Sequence, residues 1–363
     1  MKKVYLLLTA ICLAALTGCV KEEPYTLEEA TIEVNLDTRS GEVSEQQGDK
    51  IEDVMIWVFR GEANNWNTLA GWRTYTPPTD AYAHTSLTLH IPVALCDVDE
   101  ETYRLVAVLN KKHWGTNLNL SSATTYAQLT SMKFAYPELI EQAIVENTPG
   151  TPATMPVSHW CDVKVTKAHT HASGQCATAN LDVFRSVAKT QLFVTKASND
   201  FDLVIQSATL KSSNAPTEGM LLSESLAADL RKIDVAPDWF GTNAPTTFNT
   251  SLEQSLKKAD GTAAAVTVAP NAEKFQEVFV GSAFLYENAV GSSAWNVEAN
   301  GGYYLAVEYS VDGGANFKIE NVWLPPVARN HDYQIHATIY GTAEIKFKVA
   351  VAPWETIENN LEI

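Results

Sequence analysis

Thr31-Ile32-Glu33-Val34-Asn35-Leu36 alternates apolar with polar side chains, so Ile32, Val34 and Leu36 share one face of an extended segment. That period of two marks a half-buried β-strand. The same period closes the chain, where Tyr333, Ile335, Ala337 and Ile339 share a face, and Ile345, Phe347, Val349 and Val351 share another with Glu344, Lys346 and Lys348 between them. Inward from these ends, Ile51 to Phe59 is β-branched and apolar, and Ser86 to Val93 alternates through Leu87, Leu89 and Ile91. Tyr103 to Leu109 is a nearly continuous apolar run suited to a strand buried on both faces.

A second batch of strand-like runs begins near residue 185: Ser186 to Lys196, Phe201 to Leu210, Phe275 to Glu287, Tyr303 to Tyr309 and Phe317 to Leu324. Turn-forming stretches such as Asn214-Ala215-Pro216 and Asp312-Gly313-Gly314 separate them. Helix signals are few, with Thr124 to Met132, capped by Thr124 or Thr125, and Met220 to Leu230 as the two short candidates. Many short strands in two batches predict an all-β chain of two antiparallel sandwiches, over residues 40–185 and 186–363.

Composition supports a folded two-domain chain. It has 363 residues, 45% of them hydrophobic, which excludes a disordered tail or a coiled coil. Its 43 acidic against 26 basic residues give a net charge of −17, and no basic block stands out, so nucleic acid is excluded as a partner. The start is different in kind. Met1-Lys2-Lys3 is a basic head, Val4 to Leu16 is apolar, and Thr17-Gly18 precedes Cys19, which reads as a signal peptide over residues 1–18, too short to span a bilayer.

Leu16-Thr17-Gly18-Cys19 resembles the bacterial lipobox, in which signal peptidase II cuts between the glycine and an acylated cysteine. Cys19 would then open the mature chain, its acyl methylenes each adding about 0.8 kcal/mol of membrane affinity. Val20-Lys21-Glu22-Glu23 is similar to the acidic tether that directs lipoproteins to the cell surface in Bacteroidetes-type bacteria. Residues 19–39 thus read as a lipidated tether ending in the first strand.

Chemistry is hard to find. No G-x-S-x-G, H-E-x-x-H, G-x-x-x-x-G-K-[ST] or G-x-G-x-x-G stretch occurs, and the expectation is that the chain is not an enzyme and carries no cofactor. His159, Cys161, His169, His171 and Cys176 are of the types that bind zinc, but Lys167 to Gln175 reads as a solvated loop, so no metal site is expected. A bridge between Cys161 and Cys176 would close a loop of about 15 residues. Trp66 and Trp72 are the best candidates for stacking on sugar rings in a glycan-binding lipoprotein, although aromatics in sandwiches more often pack. Arg39, in a polar loop just beyond the first strand, is placed for a trypsin-like cut before Ser40.

Several stretches together resemble the fimbrillin family, the pilins of Bacteroidetes fimbriae. They are Ala30 to Leu36, Arg39 in its loop and Ile51 to Phe59; Leu105 to Asn110; Met155-Pro156-Val157-Ser158 followed by Phe184 to Lys189; Phe284-Leu285-Tyr286-Glu287-Asn288; Arg329 to Tyr333; and Val349 to Trp354. Their order and spacing span residues 30 to 354. The resemblance implies Greek-key, transthyretin-like sandwiches and a structural fimbrial subunit that supports adhesion. It further implies a precursor held at the outer membrane by lipid until a protease cuts after Arg39. The strand of Ile32, Val34 and Leu36 leaves, and the Ile345, Phe347, Val349 and Val351 strand of another copy replaces it. The implied partners are further copies, other fimbrial subunits and a receptor on a host or bacterial surface. The rival readings are a glycan-binding surface lipoprotein, a non-polymerising tip or anchor subunit, and, behind them, an exported hydrolase.

Overall fold

The structure is a computed structural model that describes residues 29–38, 51–61, 65–76, 86–94, 100–114, 118–135, 155–166, 175–223, 248–257, 262–269, 275–292 and 295–353. They are mostly β-strand with almost no helix, as the alternating patterns predict. The first half contains β1 (Glu29–Thr38), β2 (Val54–Arg60), β3 (Thr68–Tyr75), β4 (Ser86–Ala94), β5 (Glu100–Leu109), β6 (Lys133–Ala135), β7 (Val157–Thr166) and β8 (Gln175–Arg185). All but β6 close into a barrel in the order β1-β4-β3-β2-β5-β7-β8.

That closure corrects the expected first sandwich. β1 lies antiparallel to β4 on one side and parallel to β8 on the other, so it joins the two margins that an open sheet would leave free. Apolar patterning explains the interior. In β2, Val54 to Phe59 are buried without a break, and Leu105 to Leu109 of β5 match them across the ladder from Val58 back to Val54. The seam between β3 and β4 is thin, with Gly71 facing Val93 as the paired position. A Cβ on Gly71 would lie 2.5 Å from the Pro92 carbonyl oxygen, so only glycine permits this approach.

The second half holds β9 (Val187–Lys196), β10 (Val204–Pro216), β11 (Glu218–Met220), β12 (Phe248–Ser255), β13 (Val266–Thr267), β14 (Gln276–Tyr286), β15 (Tyr304–Ser310), β16 (Lys318–Trp323), β17 (His331–Ile339) and β18 (Ile345–Pro353). They form a sheet of order β14-β9-β17-β18 and another of order β12-β10-β15-β16, with β13 added to β10. The pairing of β9 with β17 is parallel, a second departure from the antiparallel expectation. Of the helix candidates, the first appears as α1 (Tyr126–Ser131), where Thr125 and Gln128 form a reciprocal capping box. The second does not begin at Met220, which ends β11, and residues 224–230 lie outside the described residues.

A buried polar knot ties the barrel to the later strands. β6 pairs with β11, and the Leu221 N–H donates to the Met132 carbonyl at 2.9 Å. Beside them Arg329, 1% exposed, donates from Nη2 to Glu287 Oε2 at 3.0 Å and to the Met220 carbonyl at 2.6 Å, and from Nη1 to the Leu221 carbonyl at 3.2 Å. Ser223 Oγ donates to Glu287 Oε1 at 2.7 Å, and Ser158 Oγ donates to the Leu221 carbonyl at 2.5 Å. Stripping water from an ion pair is costly, and the extra hydrogen bonds to both partners are what make this burial sustainable. Asn330 next to it takes φ of 55°, a left-handed conformation that asparagine tolerates.

Candidate strand-exchange site

β1 has an apolar face of Ala30, Ile32, Val34 and Leu36, all buried in the barrel interior. Opposite them on β4 stand Val93, Ile91, Leu89 and Leu87; on β8 the partners of Ile32, Val34 and Leu36 are Ala177, Ala179 and Leu181. The slot is thus flanked by two alanines and a leucine on β8 and by branched aliphatic residues on β4. The outward face is polar. Asn35 accepts from Thr88 Oγ1 at 2.9 Å and donates to Asn180 Oδ1 at 3.2 Å, a ladder across β4, β1 and β8.

β1 is held in this slot by hydrogen bonds and burial from two sides. The chain leaves it toward Arg39 and Ser40, which lie outside the described residues together with Gly18 and Cys19. Take β1 away, and the facing margins of β4 and β8 carry unpaired backbone groups over an apolar trough. Cys176 marks the mouth of that trough: it is 4% exposed, and its Sγ donates to the Thr31 carbonyl at 3.4 Å. Burial pushes its thiol up to about 11, so it is unreactive while β1 is in place.

The second strand singled out by the sequence is placed quite differently. β18 pairs with β17 alone, with Ile345 opposite Ile339, Phe347 opposite Ala337, Val349 opposite Ile335 and Val351 opposite Tyr333. Ile345 and Phe347 are buried, the latter with its ring centroid 5.4 Å from that of Trp295, whereas Val349 and Val351 are half-buried and Lys346 and Lys348 are exposed. Among the described residues β18 is thus an edge strand folded onto its own sheet, in a different sheet from β1.

The rival site residues resolve into packing. Trp66 is buried beneath the guanidinium of Arg104, whose Cζ lies 4.6 Å from its ring centroid, and Arg104 is itself clamped by Asp162 at 2.6 and 2.7 Å. Trp72 is half-buried against Trp57, ring centroids 4.6 Å apart. The buried ring of Trp66 presents no open face to a sugar. His159 packs on Trp160 and Phe184 with centroids at 4.6 and 4.7 Å, and burial lowers its imidazole to about 4. Cys161 and Cys176 are free thiols, and no group of three metal-ligating residues occurs among the described residues, which do not include His169 and His171. The residues that sequence reasoning passed over are Cys176 as the neighbour of β1, and the Arg329 and Glu287 pair, which it saw only as pieces of a resemblance.

No protein-family model matches the chain, and no curated protein matches it. Solved structures do. A candidate cell adhesion protein from Parabacteroides distasonis matches with 14% identity and a TM-score of 0.50, over 92% of this chain and 100% of its own. A second, from Bacteroides eggerthii, matches at 12% identity and a TM-score of 0.47, over 90% and 96% of the two chains. A fimbrial assembly protein from Parabacteroides distasonis matches at 10% and 0.44, over 89% and 98%. The chain shares its fold with the first of these, which is consistent with the fimbrillin resemblance of its sequence.

Proposed function

We propose that the chain is a structural subunit of a surface fimbrium that polymerises by replacing β1 with a strand from another copy. The observation that carries this reading is the position of β1: an amino-terminal strand that closes the barrel and is followed directly in sequence by Arg39. A cut after Arg39 severs the covalent link of β1 to the rest of the fold, and because β1 stays joined to Cys19, the same step frees the rest of the fold from the lipid. Non-covalent contacts alone then hold it.

The replacement is the β18 segment of a neighbour. Its apolar positions Ile345, Phe347, Val349 and Val351 repeat the spacing of Ala30, Ile32, Val34 and Leu36, so it can pair antiparallel to β4 and parallel to β8 with its apolar side inward. Burying four such side chains contributes roughly 6–12 kcal/mol before ordering costs. Slot and tail are different surfaces of one chain, so each addition leaves a new slot or tail exposed and the assembly grows as an open filament. β18 must first leave β17, where it is held from one side. In this account the precursor is an outer-membrane lipoprotein acylated at Cys19, a trypsin-like protease triggers assembly, and the fibre serves adhesion to a surface receptor. No catalytic step is assigned to it. The fold shared with a candidate cell adhesion protein supports the same direction.

The test is the intact mass and amino-terminal sequence of protein sheared from its own cells. High-molecular-weight material whose chain begins at Ser40 is the expected result. A lipidated chain that begins at Cys19 and stays in the membrane would instead mark an anchor or a glycan-binding lipoprotein. The Arg39→Ala chain should fold normally and form no fibres.

A further inference from the structure

Among the described residues, β16 is the edge strand of its sheet. It pairs with β15 alone, and on its surface Ile319 and Phe317 are 63% and 40% exposed. The hydrogen bonds at its end fix which backbone groups point outward. The Leu324 N–H donates inward to the Tyr303 carbonyl, whereas the Trp323 N–H donates the other way, to the Trp295 carbonyl. Alternation along a strand then turns the N–H and C=O of Asn321 and Ile319 away from β15.

The sequence there reads Phe317-Lys318-Ile319-Glu320-Asn321, with charges of opposite sign on the two sides of Ile319. Lay a second copy antiparallel along this edge with Ile319 facing Ile319. The outward backbone groups of the two isoleucines then exchange N–H···O=C bonds, each Lys318 faces a Glu320, and each Phe317 faces an Asn321, so the apolar side chains of both copies gather on one face. The other registers centred within β16 fail. Centring on Lys318 or on Glu320 sets like charges opposite and aligns inward-pointing backbone, and centring on Asn321 requires the Trp323 N–H, already bonded to Trp295.

We infer that β16 is a two-fold contact for a second copy of this chain, formed edge to edge about Ile319. The contact is small and weak for one pair of molecules, but a polymer repeats it along its length, and repetition turns weak contacts into firm side-by-side association. It makes no use of Arg39, β1 or β18.

The test is sedimentation of the full-length Arg39→Ala chain in detergent micelles over a rising concentration series. That background keeps strand exchange out of the measurement, and failure of the strand-exchange reading would leave the outcome readable. Lys318→Glu and Glu320→Lys, each alone, place like charges opposite at two positions and should weaken self-association about tenfold. The double reversal restores opposite pairs and should associate like the parent. Equal association by all four chains overturns the inference, as does a double variant as weak as the singles or a parent that stays monomeric throughout. Both side chains are exposed, so neither variant threatens the fold.

Discussion

β1 and β18 carry the same alternation of apolar and polar residues, yet the fold treats them oppositely. β1 has neighbours on both sides and its apolar face is wholly inside the barrel; among the described residues β18 has one neighbour, and Val349 and Val351 on its apolar face are only half-buried. Pattern dictates that a segment will be a strand and which face it buries. The number of neighbours decides what it costs to remove, and by that measure β1 is the costly strand to take out and β18 the cheap one. A polymer built by exchange needs both. The occupant of the slot should leave only after a covalent cut, and the tail should leave on its own.

The widest gap between the two is expected on placing a charge in each. Val34→Asp puts a carboxylate in the barrel interior and should destabilise the uncut chain by about 4 kcal/mol, read by thermal or urea unfolding. Val349→Asp with Val351→Asp strikes half-buried edge positions. Monomer stability should fall by about 1 kcal/mol or less per site, while fibre formation is lost, seen as monomers on a native gel. Equal destabilisation by the two sets would erase the distinction between slot and tail. Asn35→Ala breaks the outward ladder to Thr88 and Asn180 and should cost under about 1 kcal/mol, since its partners can turn to water.

The smallest effect concerns pH and the tail alone. His336 of β17 stacks on Phe193 at 5.0 Å, meets Phe275 edge-on at 4.9 Å and faces Lys348 of β18 across the ladder. Burial, and then the charge of Lys348, hold its imidazole below the ordinary value of 6.5. Because the folded state disfavours the proton, His336 costs nothing above pH 6.5, and stability is lost as pH falls from there through its depressed value. Hydrogen exchange in β17 and β18 should therefore quicken on mild acidification. His336→Phe should flatten that response.

Much of this was legible in the residues. The alternation of β1 and β18, the unbroken burial of β2 and β5, and the Thr125 cap of α1 follow from local periodicity and side-chain chemistry. The barrel was not legible, because a period of two names the buried face of β1 but not its neighbour, and β8 pairs with it from about 145 residues away in parallel register. Trp66 and Trp72 looked like open rings because their neighbours in sequence are polar, yet Arg104 and Trp57, which cover them, come from other strands. The knot of Arg329 and Glu287 escaped for the same reason. Each partner sits at a strand end whose sequence signals only a turn.

The slot itself can be tested through a native thiol. Alkylation of Cys176, mapped by mass spectrometry, should be slow in the uncut chain, where its Sγ donates to the Thr31 carbonyl of β1. It should become fast in a cleaved monomer that has shed residues 19–39, and slow again in fibres where a neighbour's tail fills the space. A Cys176 that stays protected after residues 19–39 are gone would mean that the barrel closes without β1, and that no slot is left for another copy to fill.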